Sequence, residues 1–269
     1  MTEKDLMRKL LSLTRRAVQE YDLIREGDCV CVGLSGGKDS LALLSVLSQL
    51  RRFYPKHFTL QAVHISLGFE GVDPSPLREF CESLKVPLSI VDTQIAQIVF
   101  DVRKEPNPCA LCANLRRGAL NNEAKRLGAD VVALAHHKDD IIETAMLSLF
   151  YEGRFFCFEP DTYLERAGVH VARPFIYVDE KLIKQYAKSA SLPVIFNPCP
   201  SDKTSERANM KELLKTLPMD SEMLRLNIFG AVKRGIWDKD RKTVGLTEGE
   251  RDVDVSGTAG NIDPADTVS

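Results

Sequence analysis

The chain is predicted to be a doubly wound α/β protein: a mostly parallel sheet flanked by helices, with helical additions at both ends. Three observations carry that expectation. Short apolar runs alternate with helical segments across residues 26–200, the pattern of parallel strands joined by crossover helices. The first run, Cys29-Val30-Cys31-Val32-Gly33-Leu34, passes through a glycine turn straight into the apolar helix Leu41–Leu50. The 269 residues, 44% hydrophobic and 28% charged, suit one globular domain with appendages.

Each element has its own signal. Leu6, Leu10, Leu11, Leu13, Ala17, Val18 and Tyr21 recur at helical spacing, giving an amphipathic helix over 3–22 within an N-terminal unit of residues 1–25. Strand one covers 28–34 and the next helix 39–53. Thr59–Ser66 is the second strand, Pro74–Leu84 a helix with proline in its first turn, and Pro87–Val91 the third strand. A proline-rich loop then leads to the helix Leu111–Leu127, stopped by Gly128. Val131–Ala135 is a fourth strand, followed by helix Asp139–Tyr151. Val169–Arg173 is expected as the fifth strand, with helix Asp179–Ser191 behind it. Two helices, 205–217 and 219–236, fill a C-terminal unit of 201–240. Residues 241–269 are rich in Asp, Gly, Thr, Glu and Ser and hold no aromatic residue, so a disordered tail is expected.

The glycine turn reads Ser35-Gly36-Gly37-Lys38-Asp39-Ser40. Gly36 and Gly37 let backbone approach a phosphate, and the free N–H groups of the following helix point at it. Lys38 adds a mobile cation, and Ser35 and Ser40 add hydroxyl donors. Asp39 among phosphate-binding groups calls for a Mg²⁺ between them. A Walker A loop fails on spacing: Val32 stands where its first glycine should be, and Asp39 where Ser or Thr should follow the lysine. A plain turn without ligand uses glycine too, but rarely in this company.

A second cluster, His136-His137-Lys138-Asp139-Asp140-Ile141-Ile142-Glu143-Thr144, lies at the exit of strand four. Ligands of open α/β sheets bind outside the carboxyl ends of strands, so this cluster and the glycine turn face one crevice. His64, near the end of strand two, and His136 are placed on the nucleotide side. Asp139 or Asp140 is also expected to cap the following helix.

The third feature is Cys109-Ala110-Leu111-Cys112 at a helix start, with a distant Cys199 in Asn197-Pro198-Cys199-Pro200. A lone Cys-x-x-Cys could be a redox dithiol, half a zinc site or half a cluster site. No second Cys-x-x-Cys exists, which counts against a Cys₄ zinc centre. Three cysteines without an obvious fourth suggest a [4Fe–4S] cluster held at three irons, one iron remaining open to sulfur. Cys29, Cys31 and Cys81 read as small core hydrophobes. Cys157, among Phe155, Phe156 and Phe158, reads as packed, though it is the best candidate for a fourth ligand.

Ser35–Ser40 resembles the PP-loop of ATP pyrophosphatases, which cleave ATP between the α and β phosphates and pass AMP to a substrate oxygen. The His-His-x-Asp-Asp-x-x-Glu-Thr string is similar to one in the tRNA-modifying branch, where it lies at the nucleotide. A PP-loop, then Cys-x-x-Cys followed by Leu-Arg-Arg-Gly-Ala-Leu, then His-His-x-Asp-Asp and a single late cysteine, resembles the tRNA 2-thiocytidine biosynthesis family over residues 25–200. Ser66 stands where the superfamily often carries Asp. The resemblance implies an ATP-dependent enzyme that adenylates the C2 oxygen of cytidine 32 and replaces it with sulfur. It implies ATP, Mg²⁺ and a [4Fe–4S] cluster on Cys109, Cys112 and Cys199, with Lys38, Asp39 and Asp140 in catalysis. Expected partners are tRNA, a sulfur donor such as a cysteine desulfurase, and a second copy of the chain. Arg116, four residues past Cys112, shares its helix face, and Arg116 and Arg117 are expected to meet tRNA. Persulfide transfer through Cys112 or Cys199 is the rival route. A sulfurtransferase acting on another base or a small molecule, and a non-catalytic nucleotide-binding protein with a structural metal, are the rival functions.

A net charge of −2 does not mark a general nucleic-acid binder, so any such site is local. No run approaches a membrane span and the start lacks a signal-peptide shape, so a cytoplasmic protein is expected, its seven cysteines reduced.

Overall fold

The computed structural model describes residues 1–104, 108–196, 198–200, 206–217 and 221–238. The expected tail, 241–269, lies outside them.

Six strands form one sheet: β1 (Cys29–Gly33), β2 (Thr59–Ser66), β3 (Leu88–Asp92), β4 (Val131–Ala133), β5 (Asp161–Leu164) and β6 (Val169–Ala172). Their spatial order is β3-β2-β1-β4-β6-β5, all parallel except β5, which pairs antiparallel with β6. Sequence reasoning missed β5. Its burial is intermediate to exposed, as befits an edge hairpin with no continuous apolar run. The segment expected as the fifth strand is therefore the sixth.

Eight α-helices accompany the strands among the described residues: α1 (Glu3–Glu20), α2 (Lys38–Leu50), α3 (Ser75–Ser83), α4 (Pro108–Arg126), α5 (Lys138–Glu152), α6 (Glu180–Ser189), α7 (Glu206–Thr216) and α8 (Ser221–Val232). π-helical turns at Gln97–Arg103 and Lys233–Trp237 complete the set; the first occupies what sequence alone left as loop.

Strand side chains alternate between two cores, as pleating demands. Val30, Val32, Leu60, Ala62, Val131, Ala133 and Ala172 face the larger core. Cys31, Val63, Ile65, Val132, Val169 and Val171 face the smaller one, covered by α4 and the first π turn. α2 is the centre of the larger core: Leu41, Leu43, Leu44, Leu47 and Leu50 are fully buried. It is apolar nearly all round because the sheet lies beneath it while α1 and α6 pack against it. Each such leucine contributes roughly 2 kcal/mol of transfer free energy. Ser45 and Tyr186 share a 2.7 Å hydrogen bond, tying α2 to α6.

β1 and β4 lie side by side in register, Val32 opposite Ala133. From β1 the chain winds outward through β2 to β3, and from β4 outward to β6. The carboxyl ends of β1 and β4 therefore flank the switch point where open sheets bind ligands.

Candidate active site

The glycine loop is held from below and above. Leu34 donates its N–H to the Val63 carbonyl at 2.8 Å, and its own carbonyl accepts from Nδ1 of the buried His64 at 2.8 Å. His64 thus fixes the entry to the loop. Ser40 Oγ donates to the Gly37 carbonyl (3.0 Å), accepts from the Ser35 N–H (3.1 Å) and lies 3.1 Å from Ser35 Oγ. The two hydroxyls expected to meet phosphate are engaged with each other and with the loop backbone. Gly36 has φ +81°, and a Cβ there would run into the Ile195 side chain, whose N–H donates to the Gly36 carbonyl at 3.1 Å. Only glycine fits beneath that contact. Gly37 begins α2 with no side-chain cap, leaving the helix N-terminus open to an anion.

Lys38 is less exposed than a loop cation. As first residue of α2 it reaches Asp39 Oδ2 at 2.9 Å and Glu180 Oε1 at 3.2 Å. Burial opposes its ammonium, but these two carboxylates outweigh burial and hold its pKa above the ordinary value. Asp39 Oδ1, by contrast, is buried without a hydrogen-bond partner, 3.8 Å from His137 Nε2. A buried carboxylate oxygen with an open lone pair beside a phosphate loop fits a Mg²⁺ ligand.

At the end of β4, His137 rather than either aspartate caps α5. Its Nδ1 accepts from the Asp140 N–H at 3.4 Å, while Asp140 Oδ2 accepts from the His137 N–H at 2.9 Å. Asp140 is the third residue of the helix and therefore the reciprocal partner of a capping box. Its other oxygen, Oδ1, meets Arg207 of α7 at 2.7 Å. Asp139 Oδ2 accepts the Glu180 N–H at 2.8 Å, and its Oδ1 pairs with Arg225 of α8. His136 stacks on Phe158, ring centroids 4.8 Å apart; burial pushes its pKa down to about 4, so the ring is neutral. Glu143 is buried, which raises its pKa to about 7, with Arg207 opposing from 3.8 Å.

Cys109 and Cys112 lie in the first turn and a half of α4, which begins three residues earlier than expected. Cys109 is exposed; Cys112 and Cys199 are half-buried. The Cys112 thiol is pushed up mainly by burial, with Arg116 opposing and the Cys199 and Cys109 thiols adding to the rise. Cys112 is thus within electrostatic reach of both Cys109 and Cys199, and Arg116 shares its face. Among the described residues no three His, Cys, Asp or Glu side chains stand close enough to hold a metal ion as they are. The donor chemistry nevertheless fits an iron–sulfur centre, whose usual ligands are cysteine thiolates: Cys109 is exposed and Cys112 and Cys199 are only half-buried, so all three are open to such a ligand. Cys157 does not join them. It is buried in the larger core, donates to the Ile141 carbonyl at 3.6 Å, and burial raises its pKa to about 12. Cys31 and Cys81 are likewise buried, at about 12 and about 11.

Glu180, Arg207, Lys211 and Arg225 were not anticipated. They stand outside any motif, and only the packing of α6, α7 and α8 brings them to the crevice.

An anion loop at the switch point of a doubly wound sheet, with a cation and an open carboxylate beside it, defines a nucleotide-phosphate-binding α/β protein. The particular family follows from comparison. The model of the PP-loop domain matches residues 2–217. The tRNA-cytidine(32) 2-sulfurtransferase of Pelobacter propionicus is 37% identical over 235 residues, covering 86% of this chain and 87% of that one. That of Syntrophotalea carbinolica is 36% identical, covering 86% and 91%. The chain belongs to the PP-loop family and, within it, groups with the tRNA-cytidine(32) 2-sulfurtransferases. The solved U34-tRNA thiolase NcsA from Methanococcus maripaludis, with its [4Fe–4S] cluster, shares the fold at a TM-score of 0.68. It is 22% identical, over 87% of this chain and 78% of that one.

Proposed function

We propose that the chain is a cytoplasmic, ATP-dependent tRNA sulfurtransferase that adenylates the C2 oxygen of cytidine 32 and replaces it with sulfur. One observation carries this reading. Ile195 is bonded to the phosphate loop at Gly36, and Cys199 lies four residues further along the same segment. Four residues span at most about 14 Å, so Cys199 lies within that reach of the phosphate loop, which supports a single centre for ATP and the cysteines. No helix among the described residues is long and apolar enough to cross a membrane, in keeping with this setting.

In this reading the loop and the N-terminus of α2 cradle the triphosphate, and Lys38 stabilises charge building on the departing pyrophosphate. Asp39 holds Mg²⁺, which neutralises phosphate charge when bound. The C2 oxygen displaces pyrophosphate from the α-phosphorus and becomes a leaving group as AMP. Cys109, Cys112 and Cys199 would hold a [4Fe–4S] cluster, which would supply sulfur at the sulfide level to the carbon that AMP leaves; a donor such as a cysteine desulfurase, together with a two-electron reductant, would replenish it. Asp140 orders the start of α5 at the crevice edge.

The test is nucleoside analysis of tRNA from a strain lacking the gene. 2-Thiocytidine should disappear and return with the wild-type chain; an unchanged thionucleoside profile would overturn the proposal.

A further inference from the structure

α7 lies over the phosphate end of the crevice: Lys211 on it reaches Glu180, which meets Lys38 of the loop, and Arg207, one turn earlier, reaches Asp140 at the start of α5. We propose that Lys211 is a second phosphate-binding lysine of the ATP site, supplied by α7 from outside the glycine loop and directed at the pyrophosphate end of the nucleotide. This rests on the nucleotide-binding reading above.

Glu180 is the hinge of the argument. Its side chain is 11% exposed at the start of α6, with Oε1 meeting Lys38 at 3.2 Å and Oε2 meeting Lys211 at 2.5 Å and Lys184 at 2.9 Å. Lys38 and Lys211 are therefore separated by one carboxylate group. Burial alone would raise the Glu180 pKa, yet the three lysines drive it well below the carboxylate range. Three ammonium groups gather around Glu180 and Asp39, a positive excess enlarged by the N-terminus of α2. The next carboxylates, Asp139 and Asp140, are already taken by Arg225 and Arg207. A polyphosphate is the ligand that answers such an excess, and charge-assisted bonds to it compete with those to Glu180.

The placement of Lys211 is built rather than incidental. Met210 and Leu214 bury the underside of α7. Arg207 fixes its near end through Asp140 at 2.7 Å and Thr144 Oγ1 at 3.1 Å. Lys184 is the internal control: it shares Glu180 but lies on α6 itself, four residues on, and its side chain is 54% exposed.

Calorimetric titration of the full-length protein with Mg²⁺-ATP and with AMP decides the matter. Lys211→Ala should weaken ATP by about 10-fold or more, the loss expected of a charged hydrogen bond, and leave AMP within about twofold. Lys211→Arg should restore most ATP affinity, and Lys184→Ala, which removes only an exposed ammonium from the local charge, should weaken ATP by less than about threefold and leave AMP unchanged. Should Lys211→Ala fail to fold, Lys211→Gln carries the same expectation. Equal loss of ATP and AMP, or unchanged ATP affinity, would assign Lys211 to the packing of α7 and overturn the proposal. Failure of the wild type to bind ATP at all would instead overturn the nucleotide reading beneath it.

Discussion

The two ends of the crevice are built differently. At the phosphate end, polar groups from distant parts of the chain engage one another: Lys38 with Asp39 and Glu180, Asp140 with His137 and Arg207, Asp139 with Arg225 and the start of α6. At the cysteine end, Cys109 is exposed, Cys112 and Cys199 are half-buried, and burial is what chiefly holds the Cys112 thiol up. The first geometry is set by polypeptide alone, before any ligand arrives. The second fits a site whose final geometry waits on its metal, as metal binding and local ordering are coupled.

The largest expected effect is a double dissociation between these ends. Cys109→Ser, Cys112→Ser or Cys199→Ser should each strip the iron, about four atoms per chain in anaerobically purified protein, and abolish thiolation while ATP–pyrophosphate exchange survives. Lys38→Ala or Asp39→Asn should do the reverse, lowering exchange by about 100-fold or more with the iron retained. Cys157→Ser should keep its iron and lose only stability. If Lys38→Ala lost iron, or Cys112→Ser lost exchange, the two ends would be one cooperative unit and the contrast would fail.

The same contrast decides what sequence could show. The glycine loop was legible because its chemistry is local: six consecutive residues contain the turn, the cation and the carboxylate. The cysteines stand out in the sequence because their residue type is uncommon, but a lone Cys-x-x-Cys does not by itself choose between a dithiol, zinc and a cluster. The capping of α5 was misassigned to an aspartate because a histidine seldom caps, whereas here His137 Nδ1 takes the Asp140 N–H. Glu180, Arg207, Lys211 and Arg225 were invisible for another reason. Each is an ordinary charged residue on an amphipathic helix, and only tertiary packing across 30 to 90 positions of sequence separates it from a solvated face. The edge strand β5 escaped because its apolar signal is too weak to distinguish it from loop.

A middle-sized effect probes how the phosphate end holds its charge. Burial raises the Glu143 pKa from 4.5 to about 7, so the folded protein holds a proton there that the unfolded chain releases at lower pH. Below pH 4.5 the carboxyl is protonated in both states and costs nothing. As pH rises towards 7 it subtracts stability, and above 7 the full cost remains. Glu143→Gln should therefore stabilise the protein above pH 7 by on the order of 2 kcal/mol, the gain vanishing below pH 4.5. Melting temperatures of wild type and variant across that range would show it. A pH-independent difference would mean that Glu143 titrates alike in the folded and unfolded chain, Arg207 offsetting its burial, and a difference of opposite slope would mean that Arg207 holds it ionised.

The smallest effect sharpens the cysteine end. Arg116 and Arg117 are neighbours in sequence, but the helix sends them to different surroundings. Arg116 acts on the Cys112 thiol, opposing the rise caused by burial. Arg117 bonds Asn114 Oδ1 at 2.7 Å and lies near enough to the buried Arg173 to add to the fall in its pKa, which burial itself dominates. Arg173 stacks on Phe158, and Phe158 on His136, so Arg117 borders the passage between the two ends. A cation there, bonded to Asn114 and at 3.4 Å to the Ala113 carbonyl of its own helix, is exposed and placed to meet an RNA phosphate. Arg117→Ala should weaken binding of unmodified tRNA and lower the salt slope by about one, the signature of one lost phosphate contact. Arg116→Ala should change affinity less but slow thiolation at saturating tRNA, because its charge acts where sulfur is held. Titrations at two salt concentrations, with thiolation measured alongside, separate the two roles. Equal losses in both variants would mean that Arg116 and Arg117 form one phosphate patch. Unchanged affinity in the double variant would move the RNA away from α4 altogether.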